Sequence, residues 1–307
     1  MRHKLKIKTL NKSYRYSDSI FYLLTTKKKL SNILGIELKC LKQLKHDSNY
    51  NVFTVADRAI HEPTGLLNKA HTHIASLLCR IKQPDYVHSG IKGKSHITNA
   101  RTHLGDHKLL TIDLKNFFSS TTRHMVFDFF YKKMRCSADV SDLLSYICTY
   151  DGFVPTGSRL SMPIAYWANE RMFNALYSLS CSKNIEMTLF VDDIAFSGDS
   201  IDKNFIYKLN KIITSYGQKM HPNKTKTYHA NQPKLVTGVM LVGDKTKARN
   251  ANLKKIHQDM VLWLALSTDN QSSSLNKRLI GRLNSQSKID EKFKGKAISL
   301  KQKMNAL

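Results

Sequence analysis

The stretch "TLFVDDIAFSGD", Thr188 to Asp199, places two adjacent carboxylates, Asp192 and Asp193, between two apolar runs that both have the pattern of buried strands. Two ionised carboxylates at one site repel each other, and one pKa rises strongly unless a cation lies between them. The pair therefore lies either at an exposed polar turn or at a metal site. An Asp-Asp dipeptide taken alone is more often a turn, so the rest of the chain has to decide.

A third carboxylate, Asp113, ends the strand-like run "KLLTIDL" at residues 108–114. If the two segments form neighbouring antiparallel strands, Asp113, Asp192 and Asp193 meet at one point. Three hard oxygen donors of this kind suit Mg²⁺, which prefers carboxylates together with substrate phosphates. Two such ions about 3.5–4 Å apart activate a hydroxyl and stabilise the leaving oxygen in phosphoryl transfer. The sequence is thus compatible with a metal-dependent phosphoryl-transfer site.

The charge of the chain points to a polyanionic partner. Lys and Arg number 49 against 23 Asp and Glu, a formal net charge of +26. Solvated lysine faces account for a modest excess, whereas an excess of this size favours nucleic acid, whose phosphates bind Lys and Arg. No apolar run approaches the ~18 residues of a membrane span, and the basic N-terminus has no signal-peptide core. Five cysteines without a CxxC pair predict free thiols, and we expect a cytoplasmic protein.

Hydrophobic periodicity predicts an α-rich chain with a small sheet in the middle. Apolar residues recur at helical intervals, and strand-like runs cluster in the central third. The predicted helices cover 66–81, 125–134, 164–179 and 205–216, with a helical subdomain from 252. The predicted strands cover 108–114, the two runs around Asp192, and 234–242. Shifts in composition near residues 105 and 245 predict three regions, 1–105, 106–245 and 246–307.

Four motifs follow one another along the chain, namely "IDLKNFF" from Ile112, "VPTGSRLSMP" from Val154, "FVDD" from Phe190 and "HPNKTK" from His221. Their order is that found in reverse transcriptases, and the chain resembles that family from about residue 50 onward. Upstream, "DRAIHEP" from Asp57 is similar to the fingers segment of the family. Phe190 stands where the family usually has Tyr, and Met162 follows Ser161 where Pro is common. The resemblance implies an α/β right-hand polymerase with an N-terminal region and fingers (1–105), an antiparallel-sheet palm with part of the fingers (106–245) and a helical, basic thumb (246–307).

Two further stretches resemble signatures of bacterial retron reverse transcriptases. They are "NARTH", Asn99 to His103, and "VTG", Val236 to Gly238. This resemblance implies RNA-directed DNA synthesis from dNTPs with two Mg²⁺ ions, or Mn²⁺ as a substitute. It also implies a dedicated structured non-coding RNA, priming from an RNA 2′-hydroxyl, a branched RNA–DNA product, and an effector protein in anti-phage defence.

The resemblance also assigns roles to individual residues. Metal ligation falls to Asp113, Asp192 and Asp193, and the lysine near the leaving pyrophosphate is Lys224. Contact with the nucleotide is assigned to Arg58, Leu114, Phe118, Gly157 and Lys224. Contact with RNA is assigned to Asn99, His103, Val236, Thr237 and Gly238. Phe118 is expected to set its ring against the sugar, although an aromatic ring after a strand also suits the core.

Several alternatives remain open at this point. The chain is also compatible with a reverse transcriptase of the group II intron or diversity-generating type. From another class, it is compatible with a catalytically silent RNA-binding protein on a polymerase scaffold, against which the three carboxylates speak. His103 suits a core position as well as an RNA contact. We expect His71 and His73 at the surface, and Phe117, Trp167 and Trp263 in the core.

Overall fold

Helices and antiparallel strands make up the fold, and the structure, a computed structural model, describes residues 5–265 and 273–305. The α-helices are α1 (Lys27–Leu34), α2 (Leu38–Gln43), α3 (Gly65–Leu78), α4 (His96–Arg101), α5 (Phe117–Ser120), α6 (Arg123–Asp128), α7 (Ala138–Ile147), α8 (Ser161–Cys181), α9 (Lys203–Ser215), α10 (Asn250–Ala265), α11 (Ser273–Ser287) and α12 (Lys292–Asn305). The strands are β1 (Tyr50–Val55), β2 (Arg58–Pro63), β3 (Leu109–Asp113), β4 (Glu186–Phe190), β5 (Asp193–Ser197), β6 (Lys226–Tyr228), β7 (Lys234–Val236), β8 (Val239–Val242) and β9 (Lys245–Lys247). Residues 1–4, 266–272 and 306–307 of the predicted first and third regions lie outside the described residues.

The predicted mixture of helices and an antiparallel central sheet is confirmed. The sheet has the strand order β4-β5-β3-β6, and each neighbouring pair is antiparallel. Strand β3 is buried at Leu109, Leu110 and Ile112, because helices and a second sheet cover its two faces. Helix α8, which carries Pro163 in its first turn where no intrahelical N–H is needed, packs against β4.

Two hairpins depart from the predicted single sheet. The segment 234–242, predicted as one strand, forms β7 and β8 around Thr237 and Gly238, whose φ values of +44° and +83° turn the chain back on itself. The pair β1–β2 turns in the same way at Ala56 and Asp57, with φ values of +45° and +63°. That turn has neither Gly nor Asn, the usual sequence signals of such a turn, so the hairpin was not predicted.

Buried apolar residues form three clusters. The largest joins α1–α3 and α6–α9 to the central sheet and draws on both sides of the predicted boundary at residue 105. A second lies among α10, α11 and α12 around Trp263 and Leu279. A third joins α4, β3, β5, β7 and β8. Trp167, Trp263 and Phe117 are buried as predicted. No helix in the described ranges combines the length and apolar character that a bilayer crossing requires.

The prediction that His71 lies at the surface is wrong. Its ring is fully buried, with Nδ1 2.7 Å from Ser158 Oγ and Nε2 2.6 Å from the carbonyl oxygen of Ile147. Because a carbonyl only accepts, Nε2 carries the proton and donates it to Ile147, which fixes the tautomer. Burial lowers the His71 pKa to about 4. His73, on the same helix, is half-buried. Helix α3 is covered on nearly all sides, which its apolar stripe alone did not predict.

Candidate active site

The central sheet brings Asp113, Asp192 and Asp193 to one end. In the antiparallel pair β3–β5, Asp113 lies directly opposite Asp193. In the β4–β5 hairpin, Phe190 lies opposite Asp193, so Asp192 belongs to the tight turn between the strands. The backbone N–H of Leu114 donates to the carbonyl oxygen of Asp192 over 3.1 Å, which ties the end of β3 to that turn.

The turn holds Val191 in a backbone conformation that side chains of its type avoid. Its φ is +62°, and a β-branched residue with positive φ is a genuine outlier that costs of order 1–3 kcal/mol. The Val191 N–H donates to Ser89 Oγ over 3.1 Å. Ser89 lies 102 positions earlier in the chain, so no sequence pattern predicts this support.

The two adjacent carboxylates are destabilised in their ionised form. Burial raises the pKa of Asp193 to about 6, and the negative charges of Asp192 and Asp113 add to this rise. Burial also raises the pKa of Asp192, and the charge of Asp113 raises it further, whereas Lys224 and Arg58 lower it. Asp192 and Asp193 are half-buried, and they repel each other as well as Asp113. A cation bound among such carboxylates stabilises the fold.

Lys224 is the cation that the structure places against this site. Its Nζ lies 2.9 Å from Oδ2 and 3.1 Å from Oδ1 of Asp113. The lysine follows α9 in the turn before β6, where the N–H of His221 donates to the carbonyl oxygen of Asp113 over 2.8 Å. About half of the Lys224 side chain is exposed, so its ammonium is free to move toward a ligand.

The donor chemistry of the three carboxylates suits Mg²⁺, which takes oxygen ligands. Within the described ranges, no group of three or more His, Cys, Asp or Glu side chains is arranged closely enough to hold a metal ion as it stands. Asp113 is engaged by Lys224, and its carboxylate would have to share or exchange this partner on metal binding. The meeting of the three carboxylates at the ends of paired strands, where burial and then repulsion raise two of the pKa values, supports a cation here.

Of the residues assigned to nucleotide contact, Lys224 and Arg58 bring their positive charges to the site carboxylates. Arg58 begins β2 and is exposed, and its charge reaches Asp192. Phe118, on α5, is half-buried beside the fully packed Phe117, with ring centroids 5.6 Å apart. Leu114 does not fit its assignment through its side chain, which is only 1% exposed because it packs into the core below β3.

Gly157 has a local structural reason to be glycine. A Cβ at this position would lie 2.7 Å from the carbonyl oxygen of His61 and 2.8 Å from Cγ2 of Ile60. The loop before α8 therefore rests directly on the backbone of β2, the strand that begins with Arg58. Gly157 thus sets the position of the β1–β2 hairpin, whatever contact it makes with a nucleotide.

Within the "NARTH" stretch, Asn99 and His103 are buried whereas Arg101 and Thr102 are exposed, so the structure favours the core position of His103 over the predicted RNA contact. His103 is 1% exposed, and its ring nitrogens lie 2.7 Å from Ser197 Oγ and 2.7 Å from Thr188 Oγ1. Burial, helped by the charges of His88 and Lys234, lowers its pKa to about 3. Asn99 is fully buried, so neither side chain is available to a base edge in this state.

The "VTG" residues contact helix α4, which carries Asn99 of the "NARTH" signature. Asn99 Nδ2 lies 3.5 Å from Thr237 Oγ1, which in turn donates to the carbonyl oxygen of His96 over 2.8 Å. Val236 is buried at 1% exposure, which disfavours an RNA contact by its side chain, while Thr237 is half-buried and Gly238 exposed. The two signatures together fasten α4 to the central sheet and to the β7–β8 turn.

No protein-family model matches the chain. Among curated proteins, the retron Se72 reverse transcriptase of Salmonella heidelberg is 30% identical over 250 residues, covering 74% of this chain and 64% of that protein. The retron Ec86 reverse transcriptase of Escherichia coli is 25% identical and covers 74% of each chain. The retron Ec48 reverse transcriptase of Escherichia coli is 23% identical, covering 92% of this chain and 76% of that protein. The match to the Se72 protein spans less than two thirds of its length.

Among solved structures, a foamy viral protease–reverse transcriptase in complex with double-stranded DNA superposes with a TM-score of 0.41. The aligned residues are 13% identical and cover 76% of this chain and 34% of the viral chain.

Proposed function

We propose that this chain, which is a homologue of the retron reverse transcriptases, is itself an RNA-directed DNA polymerase of the retron type. The observation that carries the proposal is the meeting of Asp113, Asp192 and Asp193 at one end of an antiparallel sheet, with Lys224 against them. A net charge of +26 supplies the general affinity for nucleic acid that a template-dependent enzyme needs.

The three carboxylates would hold Mg²⁺, which supplies activation of the attacking hydroxyl and stabilisation of the leaving oxygen when it is bound. Arg58, exposed at the start of β2, binds the triphosphate. The ring of Phe118 lies against the sugar and selects deoxyribonucleotides. The Lys224 ammonium moves from Asp113 to the departing pyrophosphate and donates a proton to it, a role typically worth ~10²–10⁴ in rate.

In this reading the central sheet is the palm, the β1–β2 hairpin belongs to the fingers, and α10–α12 form a basic thumb. The predicted regions 1–105, 106–245 and 246–307 follow these parts. The thumb has its own apolar cluster, which supports its movement as a unit when nucleic acid is gripped.

The retron type adds a dedicated substrate. We propose a structured non-coding RNA, priming from one of its 2′-hydroxyls, a branched RNA–DNA product, and an effector protein in defence against phage. The presence of both signatures and the names of the relatives support this type over the intron and diversity-generating types.

Primer extension tests the proposal. The purified chain should extend a DNA primer annealed to RNA when dNTPs and Mg²⁺ are supplied, and Asp192→Asn should remove this activity while the folded state is kept. RNA that is co-purified with the chain should also prime synthesis without added primer. A parent protein that incorporates no dNTP on any primed RNA would leave the silent RNA-binding alternative in its place.

A further inference from the structure

A cavity of about 430 Å³ lies on the protein surface between the N-terminal segment, α6 and α8. It adjoins a second cavity of about 560 Å³, with which it shares Tyr16, Lys133, Trp167 and Glu170. We call the two together the Tyr16 groove. None of the three site carboxylates lines it. Its wall includes the π-helical turn Phe129–Lys133, a local distortion that is frequent at functional sites.

Aromatic rings form the floor of the Tyr16 groove. The lining includes Tyr16, Phe129, Trp167 and Tyr216. Tyr16 is 42% exposed, and Trp167, which is buried, stacks on Phe129 with ring centroids 6.0 Å apart. The buried Trp167 Nε1–H has no acceptor among the described residues. A buried donor without a protein partner in a cavity wall can donate to an acceptor atom of a ligand or to water.

The charge of the groove favours an anion. Its two carboxylates are already paired, Asp128 with Lys132 at 2.7 Å and Glu170 with Lys133 at 2.6 Å. Around them stand exposed cations that form no ion pair with a carboxylate in the described ranges. These are Arg15, Lys82, Arg135 and Arg171. Unpaired cations around the exposed ring of Tyr16 give the combination that proteins use to bind single-stranded nucleic acid, phosphate contact together with base stacking.

We propose that the Tyr16 groove binds unpaired nucleotides of RNA, outside the catalytic cleft. A base stacks on the exposed ring of Tyr16, beside the Lys133 ammonium that lies 4.4 Å from the ring centroid, and the neighbouring phosphates contact Arg135 and Arg171. The proposal rests on the proposed function, because it gives a structured RNA a second contact on the enzyme that copies it. A loop or single-stranded end held here would leave the cleft free for the growing duplex.

The test measures RNA binding while the cleft is filled. The full-length protein is first saturated with an unlabelled DNA primer annealed to RNA, and a fluorescein-labelled decamer of uridylate is then titrated at 150 mM salt, with binding followed by anisotropy. The parent should still bind the decamer. Arg135→Gln with Arg171→Gln should weaken binding about tenfold and lower the salt slope by about 1.4, the value for two phosphates of a single strand.

Matched variants separate the groove from general charge. Lys203→Gln with Lys208→Gln removes two exposed cations of α9 that do not line the groove, and should change binding less than twofold. Tyr16→Ala should weaken binding about tenfold, whereas Tyr16→Phe keeps the ring and should keep binding. All these variants should extend an annealed primer at the parental rate.

Three results would overturn the proposal. One is loss of decamer binding when the duplex fills the cleft, and another is equal weakening by the groove and control variants. The third concerns a labelled decapeptide of Glu and Trp. If the parent binds this peptide but not the RNA, and Arg135→Gln with Arg171→Gln abolishes peptide binding, the groove belongs to a protein partner. Failure of the parent to extend a primer is a separate result, and it bears only on the proposed function.

Discussion

The Lys224 ammonium and the Asp113 carboxylate form a two-point ion pair, with N–O distances of 2.9 and 3.1 Å, at the end of the strand that pairs with the Asp192–Asp193 hairpin. One of the three carboxylates is therefore paired with a cation of the chain itself, whereas burial raises the pKa of the other two, and the charge of Asp192 adds to the rise at Asp193. If Mg²⁺ binds here, it competes with Lys224 for Asp113. This competition would release the lysine toward the substrate when the metal arrives.

Substitutions at Lys224 can separate proton donation by its ammonium group from the effect of its positive charge. Lys224→Gln should lower the rate of the chemical step by ~10²–10⁴ in single-turnover extension, with nearly unchanged affinity for primer–template. Lys224→Arg is the matched control, because its guanidinium keeps the ion pair with Asp113 but does not give up a proton. A parental rate in the Arg variant would assign Lys224 a purely electrostatic role.

Removing one carboxylate should stabilise the metal-free protein. Asp192→Asn relieves the repulsion that raises the pKa of Asp193, so the melting temperature in buffer with chelator should rise, although activity is lost. Mg²⁺ should raise the melting temperature of the parent and leave that of the variant nearly unchanged. Calorimetry at neutral pH measures both effects. A variant that melts below the parent in chelator would contradict the repulsion seen in the structure.

Phe118 should determine the choice of sugar. Phe118→Ala removes the ring that would meet a 2′-hydroxyl, so the preference for dNTP over rNTP should fall at least tenfold in extension assays. Because Phe118 is only half-buried, the variant should lose less stability than the about 3–5 kcal/mol of a fully buried Phe→Ala. Phe117→Leu, in the core beside it, should lower stability and leave the preference unchanged. An unaltered preference in Phe118→Ala would mean that the Phe118 ring only packs against the core.

Gly157 should control the hairpin that carries Arg58. In Gly157→Ala the new methyl group meets the His61 carbonyl at 2.7 Å, so the loop and β2 must separate, at a cost of about 1–3 kcal/mol in stability. The Michaelis constant for dNTP should rise as Arg58 moves. Gly281→Ala, in α11 with open space around it, should instead be neutral or stabilising by up to about 1 kcal/mol. Equal melting temperatures in the two variants would refute the close approach.

The sequence predicts those parts of the fold whose signal is local. The β4–β5 hairpin and α8 follow from apolar runs, and the ends of β3 and β5 meet because strands of matching pattern pair there. Contacts between distant positions were not predictable. The support of Val191 by Ser89 and the burial of His71 against Ile147 depend on packing between segments that no periodicity relates.

The two signatures illustrate a different limit. A motif identifies residues that a family uses, but it does not tell whether they face a ligand or the interior. Asn99 and His103 are polar and suit base contacts by their chemistry. In the structure both are buried, with His103 bonded to two strands, because α4 packs against β4 and β8. Their polar groups form hydrogen bonds that connect separate elements of the fold.

His103 should make the protein sensitive to acid. Its pKa is about 3 in the folded chain, against about 6.5 for a free side chain, because burial disfavours the charged ring. Above pH 6.5 both states are neutral and the full stability is present. As the pH falls from 6.5 toward 3, only the unfolded chain takes up the proton, so the free energy of unfolding falls by about 1.4 kcal/mol per pH unit for this residue.

His103→Gln tests this linkage by urea unfolding between pH 4.5 and 8. At pH 8 the variant should be less stable by about 1–3 kcal/mol, because the hydroxyls of Thr188 and Ser197 lose a well-placed partner. Its decline in acid should be shallower than that of the parent, with the remaining slope including that of buried His71. If His103→Gln and the parent lose stability in parallel below pH 6.5, protons reach the ring of His103 in the folded state, and this result would favour the RNA contact of His103 over its core position.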